Sequence, residues 1–266
     1  MDSLDLTTLR DLYDRQLRLG ARPDGPGARV ERDGPVVRQT GPAHGWNGVL
    51  WSGLGPDDAD AAIAAQIRHY ASAGHCTFEW KVYGHDRPAD LPARLEAAGF
   101  TAEDRETLMV AEAAALSVPG ELPEGVELRE VTDAAGVELL VRVREQAFGT
   151  DGSDLGRRLI DQLADAPDSF AAVVALHDGE PVSAARLELP PDSDFAGLCG
   201  GGTVEAWRGR GIYRALVAHR ARVAAARGYR YLQVDARDTS RPILRRLGFE
   251  ALTTTTPYIH EAGAGV

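Results

Sequence analysis

Gly200-Gly-Gly-Thr-Val-Glu-Ala-Trp-Arg-Gly-Arg-Gly-Ile-Tyr-Arg-Ala-Leu-Val217 is the most informative stretch of this 266-residue chain. It reads as a strand that runs into a glycine-rich turn and then into a helix. Gly209 and Gly211 let the backbone turn tightly with its N–H groups bare. A helix beginning near Gly211 adds unsatisfied N–H groups and the positive end of its dipole. Arg208 and Arg210 contribute two full charges, and Arg214 follows one turn later. Together these features make a cradle for a phosphate-bearing ligand.

Working outward, Leu198 to Val204 is a strand entering the turn, and the helix from Gly211 to Arg227 closes at Gly228. Tyr231 to Asp235 is a strand, Ser240 to Leu247 a helix with Pro242 in its first turn, and Glu250 to His260 a last strand. Upstream, Val126 to Val131 is a strand, followed by helices near 133–147 and 154–165. Ser169 to His177 and Pro181 to Leu189 flank Asp178-Gly179, a strong hairpin signal. Residues 116–125, rich in Pro and Gly, read as a linker. Before it come a helix over 4–19, strands at 36–40 and 47–52, a helix over 57–73, a strand at 76–83, a helix over 88–98 closed by Gly99, and a strand at 106–112. Antiparallel strands mixed with strand–helix–strand runs argue for an α+β class, a central mixed sheet flanked by helices.

An internal repeat divides the chain into two related halves, 1–115 and 126–266. Asp86 stands 14 residues before Phe100, and Asp235 stands 14 before Phe249. Each interval holds a short helix ending in Gly-Phe: Leu95-Glu-Ala-Ala-Gly-Phe100 and Leu244-Arg-Arg-Leu-Gly-Phe249. The first half's counterpart of the cradle, Val49 to Asp60, has glycines but no arginine. Its Asp57, Asp58 and Asp60 would repel a pyrophosphate at that helix end, at about a kcal/mol per screened like-charge contact. The first copy is therefore expected to be degenerate, walling the acceptor site of the second.

The formal net charge is −11 and both halves are acidic, so a nucleic-acid partner is not expected, because phosphate neutralisation needs a basic face. A local basic patch in an acidic chain suits a small anionic ligand. Cys76 and Cys199 are far apart and read as small core residues. The seven histidines show no metal-ligand spacing, so no metal is expected. The acidic start, Met1-Asp-Ser-Leu-Asp, and the lack of an apolar run near 18 residues point away from a membrane and to the cytoplasm. Nothing in the sequence sets the oligomeric state, and a homodimer stays open.

The segment Arg208-Gly-Arg-Gly-Ile-Tyr-Arg-Ala-Leu, followed by a helix, a strand and Arg245-Arg-Leu-Gly-Phe249, resembles the acyl-CoA-binding core of the GCN5-related N-acetyltransferase (GNAT) family. The resemblance spans about 126–260 and is strong over 196–249. Neither a Rossmann nor a Walker pattern fits, since the third glycine place holds Arg214 and no Lys-Ser/Thr follows. In the family loop Gln/Arg-x-x-Gly-x-Gly/Ala, the three defined places are Arg208, Gly211 and Tyr213; Tyr213 departs from the small residue expected last. The resemblance implies a tandem fold with one working copy. It implies acetyl-CoA as acyl donor, held by the backbone of Arg208, Gly209, Arg210, Gly211, Ile212 and Tyr213. Its pantetheine arm would lie along Gly202, Thr203 and Val204, with Ser240 near the sulfur end.

The implied reaction is attack of a primary amine on the thioester, which calls for a general base and a proton donor for the leaving thiolate. The family's usual tyrosine acid falls at Leu244 here. Tyr258 and Ser240 are the substitutes, with Glu205 as base and Glu188 as a weaker alternative. His219, Trp207 and Trp46 read as packing residues. The missing tyrosine keeps a second reading open, a non-catalytic acyl-CoA-binding or sensing module. A third, an RNA contact through Arg-Gly-Arg-Gly, runs against the acidic balance.

Overall fold

The computed structural model describes residues 5–116 and 121–261. The strands are β1 (Arg29–Asp33), β2 (Val36–Thr40), β3 (Gly48–Ser52), β4 (Thr77–Tyr83), β5 (Phe100–Ala102) and β6 (Glu106–Glu112). After the linker region come β7 (Val126–Glu130), β8 (Phe170–His177), β9 (Glu180–Glu188), β10 (Phe195–Thr203), β11 (Tyr231–Ala236) and β12 (Glu250–Glu261). The helices are α1 (Leu6–Tyr13), α2 (Ala59–Ser72), α3 (Leu91–Ala97), α4 (Ala134–Phe148), α5 (Ser153–Asp165), α6 (Ile212–Ala226) and α7 (Arg241–Arg246). α1 continues to Leu19 in wider, π-type turns. Of the linker expected at 116–125, residues 117–120 lie outside the described residues.

All twelve strands join one mixed sheet in the order β1-β2-β3-β4-β12-β6-β11-β10-β9-β8-β7, with β5 pairing on β12. The two halves are built alike. In each, antiparallel strands lead to a parallel pair, β3 with β4 in the first half and β10 with β11 in the second. Each half is then completed by the other's last strand. β6, from the first half, lies against β11. β12, from the second, runs along β6 as far as Thr255 and then along β4 from Thr255 to Glu261. This exchange fuses the halves and carries side chains of one half to the other's split.

Local chemistry accounts for the elements that place the site. Asp178 and Gly179 both have positive φ, 50° and 80°, the primed turn that matches strand twist in a tight hairpin. α3 and α7 are closed by Gly99 and Gly248 at φ 94° and 102°, and Phe100 and Phe249 follow into the core. The Asp-to-Gly-Phe repeat is thus the same strand–helix–strand unit used twice. α6 packs its Ala215, Leu216, Val217 and Ala221 face on the second half of the sheet. α4 and α5 bury Val137, Leu140, Val143 and Leu159 with β8 and β9.

Two expectations are corrected. Arg29 to Asp33 is an edge strand, polar enough to lack an alternating pattern. Cys76 is exposed just before β4 and is no core residue.

Candidate active site

β10 and β11 pair only from Phe195 to Gly197 against Tyr231 to Gln233, and then separate. From Leu198 onward β10 has no partner on that side among the described residues. Along its other edge the register with β9 shifts between Cys199 and Gly202, where Gly200 takes φ 57°. The glycine run forms a bulge beside an open split.

Below the split lies the turn into α6. Gly209 and Gly211 have φ 76° and 87°, in the left-handed region glycine tolerates. No side chain caps α6. The amides of Gly209 to Arg214 donate to no acceptor among the described residues. The Arg208 amide is spent on the Glu205 carbonyl at 3.1 Å. The free run is therefore 209–214, one residue later than the sequence suggested.

Two adjoining clefts open here. One, of about 680 Å³, runs over Gly202, Thr203, Gly209, Gly211 and Ile212, with Arg208, Arg214 and Arg246 at its walls and no acidic lining residue. The other, of about 500 Å³, lies in the split itself and is bordered by Glu106, Arg144, Cys199, Gln233, Asp235 and Arg237. Phe148, Gly201, Tyr213, Thr239 and Ser240 border both, so the clefts form one continuous path.

The residues singled out in the sequence divide as follows. Gly202, Thr203, Arg208, Gly209, Gly211, Ile212, Tyr213 and Ser240 line the first cleft. Arg208 also clamps the loop, donating from Nε to the Thr203 carbonyl at 3.1 Å and from Nη2 to the Ala147 carbonyl at 3.2 Å. Arg210 lines neither cleft; it sits 4.5 Å over the Trp207 ring. Val204 is turned to β9, its amide bonded to the Val182 carbonyl at 3.0 Å. Glu205 is exposed on the outer turn and lines neither cleft. Tyr258 is buried in the first half's core with Tyr70, Phe78 and Trp80, because β12 has crossed to β4 by that point. Glu205 and Tyr258 are accordingly set aside as acid–base groups. Leu244 is fully buried and leaves no polar group at the family's tyrosine place.

Tyr213, the departure from the loop pattern, turns inward. An ideal Cβ on Gly201 would lie 3.6 Å from its ring, so the phenol fills space the glycines leave. Burial raises its pKa, which keeps it a proton donor. Cys199 lines the cleft in the split instead of the core, 3.4 Å from Glu188 Oε1. Burial pushes its thiol up to about 12, which disfavours the thiolate.

The cleft's titratable groups come from across the sheet. Glu106 belongs to β6, the first half's exchanged strand, and lies 3.6 Å from Arg237. Burial, and then the nearby Asp235 carboxylate, raise its pKa. Asp235 is held by a hydrogen bond from Thr255 Oγ1 at 3.0 Å and by an ion pair with Lys81, the chain's single lysine, from β4. Burial alone would lower the Lys81 pKa, but Asp235 and Glu79 more than offset it and the ammonium is kept charged. No local spacing in the sequence could reveal these contacts, which depend on the strand exchange. Among the described residues no group of three or more His, Cys, Asp or Glu could hold a metal ion, and no helix is long and apolar enough to cross a membrane.

Residues 137–249 match the sequence model of the acetyltransferase (GNAT) family. The second half carries a GNAT-family domain. The whole chain has the tandem form of that fold. It is similar to a GCN5-related N-acetyltransferase from Kribbella flavida, at 21% identity, over 100% of this chain and 98% of that one, with a TM-score of 0.71. A functionally unknown conserved protein from Staphylococcus epidermidis matches at 14% identity, 95% and 99% coverage, and a TM-score of 0.71. A tandem GNAT protein from the clavulanic acid biosynthesis pathway matches at 16% identity, 98% and 96% coverage, and a TM-score of 0.63. No curated protein matches the chain by sequence.

Proposed function

We propose that the chain transfers an acetyl group from acetyl-CoA to a primary amine, using the second half's split, with residues 1–115 as a non-binding copy that walls the acceptor side. The observation that carries this reading is the free run of amides at 209–214, opening onto a cleft with three arginines and no carboxylate. That cleft suits the coenzyme's pyrophosphate, and the unpartnered edge of β10 suits its pantetheine arm.

In this reading the amine enters from the Glu106 side of the split. In its ionised form a carboxylate of raised proton affinity accepts the amine's proton directly or through water. The amine nitrogen bonds to the thioester carbonyl carbon, the carbon–sulfur bond breaks, and the thiolate takes a proton from Tyr213, the most acidic hydroxyl bordering both clefts. Holding donor and acceptor in one continuous path supplies the rest by proximity.

The test is thiol release from acetyl-CoA with a panel of primary amines, run beside equilibrium binding of acetyl-CoA. Turnover that depends on the amine is the expected result. Binding with no turnover on any amine would favour the sensing module instead.

A further inference from the structure

The acceptor-side cleft holds more cationic charge than its own carboxylates neutralise. Arg237 faces Glu106, and Lys81 is committed to Asp235. Arg220 is buried and donates to the carbonyls of Leu216, at 3.1 Å, and Arg186, at 2.9 Å. Two guanidinium groups are left over. Arg186 on β9 has a side chain only 9% exposed, and its nearest carboxylate oxygen, on Glu188, is 4.0 Å away. Its buried Nε has no hydrogen-bond partner among the described residues. That nitrogen points at the bulge, since an ideal Cβ on Gly200, which borders the cleft, would lie 3.1 Å from it. Arg144 on α4 borders the same cleft, has a buried Nε without a partner, and makes no ion pair among the described residues. Burial lowers its pKa, and the neighbouring Arg186, Arg158 and Arg237 lower it further, so its charge is disfavoured as it stands. Unpaired buried guanidinium donors are costly unless an anion meets them.

We propose that the acceptor is an amine that also carries a carboxylate, bound by Arg144 with Arg186 behind Gly200, while its amino end faces Glu106. This rests on the acetyl-transfer reading. A planar carboxylate matches the paired donors of a guanidinium. Glu188, beside Arg186 and Cys199, weighs against a dianion such as phosphate. Glu106, which borders the same cleft, offers a carboxylate to an amine at the other end of the same molecule.

Matched acceptors test this: an amino acid against its carboxamide, with acetyl-CoA as donor. The acid is expected to exceed the amide in kcat/KM by about tenfold or more, the lower end of what a charge-assisted contact contributes. In Arg144→Gln, with folding checked by thermal melting, the ratio should fall toward one, and Arg144→Lys should restore part of it. A ratio near one in the parent protein, an unchanged ratio in Arg144→Gln, or a preference for succinyl-CoA with carboxylate-free amines would overturn the proposal; the last would place the carboxylate on the donor. If acetyl-CoA binds and no amine turns over, the enzymatic reading has failed, and the carboxylate site is judged by equilibrium dialysis of the same amino acid with CoA present. Loss of about tenfold in affinity in Arg144→Gln then supports the site, and equal affinities overturn it.

Discussion

The two halves share a frame and differ in what fills the split between their parallel strands. In the first half β3 and β4 pair at Gly48 and Val49. Beyond that point Arg18, from the turns after α1, enters. Its Nε donates to the Leu50 carbonyl at 3.1 Å, Nη2 to both Asp86 oxygens at 2.8 Å, and Nη1 to Asp14 at 3.0 Å. The guanidinium lies 3.8 Å over the Tyr83 ring, and its side chain is only 2% exposed. The following helix opens with Asp57, Asp58 and Asp60, and the nearby groove's Arg94 is tied to Asp60 and Asp90 at 3.0 and 2.9 Å. In the second half Asp235, the counterpart of Asp86, is neutralised from the other half's strand by Lys81. Asp235 therefore needs no counter-ion inserted from its own half. A repeated fold thus fills one split with an inserted arginine and leaves the other open by importing that counter-charge.

The largest effect should come from the group the first half lends to the second. Glu106→Gln is expected to lower kcat by about 10²–10⁴-fold, the usual contribution of a positioned base. In the parent protein the rate should fall as pH drops through the Glu106 pKa. That limb should lie above the ordinary carboxylate range, because the pKa is raised and the working form is the ionised one. Loss of the limb in the glutamine variant checks the assignment; an unchanged profile would break the link between the halves.

The plug comes next. Arg18→Met leaves Asp86 buried without its partner and should cost about 3–5 kcal/mol, read by chemical denaturation. Coenzyme binding by the first half should not follow, since the aspartates at the start of α2 remain. A second binding event in that variant would show that the plug alone separates the two halves.

The smallest effect concerns the cradle. Gly211→Val puts a β-branched residue at φ 87° and should weaken acetyl-CoA by about tenfold, or about 1.4 kcal/mol. Calorimetric titration checks it. Gly55→Val, in the first half's corresponding turn, where an added Cβ would meet only Asp58 at 3.4 Å, should leave that affinity unchanged.

What could be read from the sequence was local. The glycine turn into α6, the Asp178-Gly179 turn and the paired Gly-Phe helices all rest on neighbours within a few residues, and the structure has each of them. Contacts made by strand exchange stayed hidden. Glu106 sits in a first-half strand, and nothing near it in sequence says that β6 borders β11. Tyr258 follows α7 closely in sequence, but β12 leaves the second half after Thr255 and buries it in the first. Lys81, the counter-charge of Asp235, stands 154 residues before it in the sequence. Arg18 falls within the helix expected over 4–19, and it is almost fully buried because two aspartates and a carbonyl await it.

The claim that the chain has one open split is tested most directly by titrating acetyl-CoA into the full-length protein and solving the structure of the complex. The account predicts one molecule per chain, its pyrophosphate on the amides of 209–214 and its thioester between β10 and β11. Two molecules per chain, or one lodged between β3 and β4 with Arg18 displaced, would contradict it.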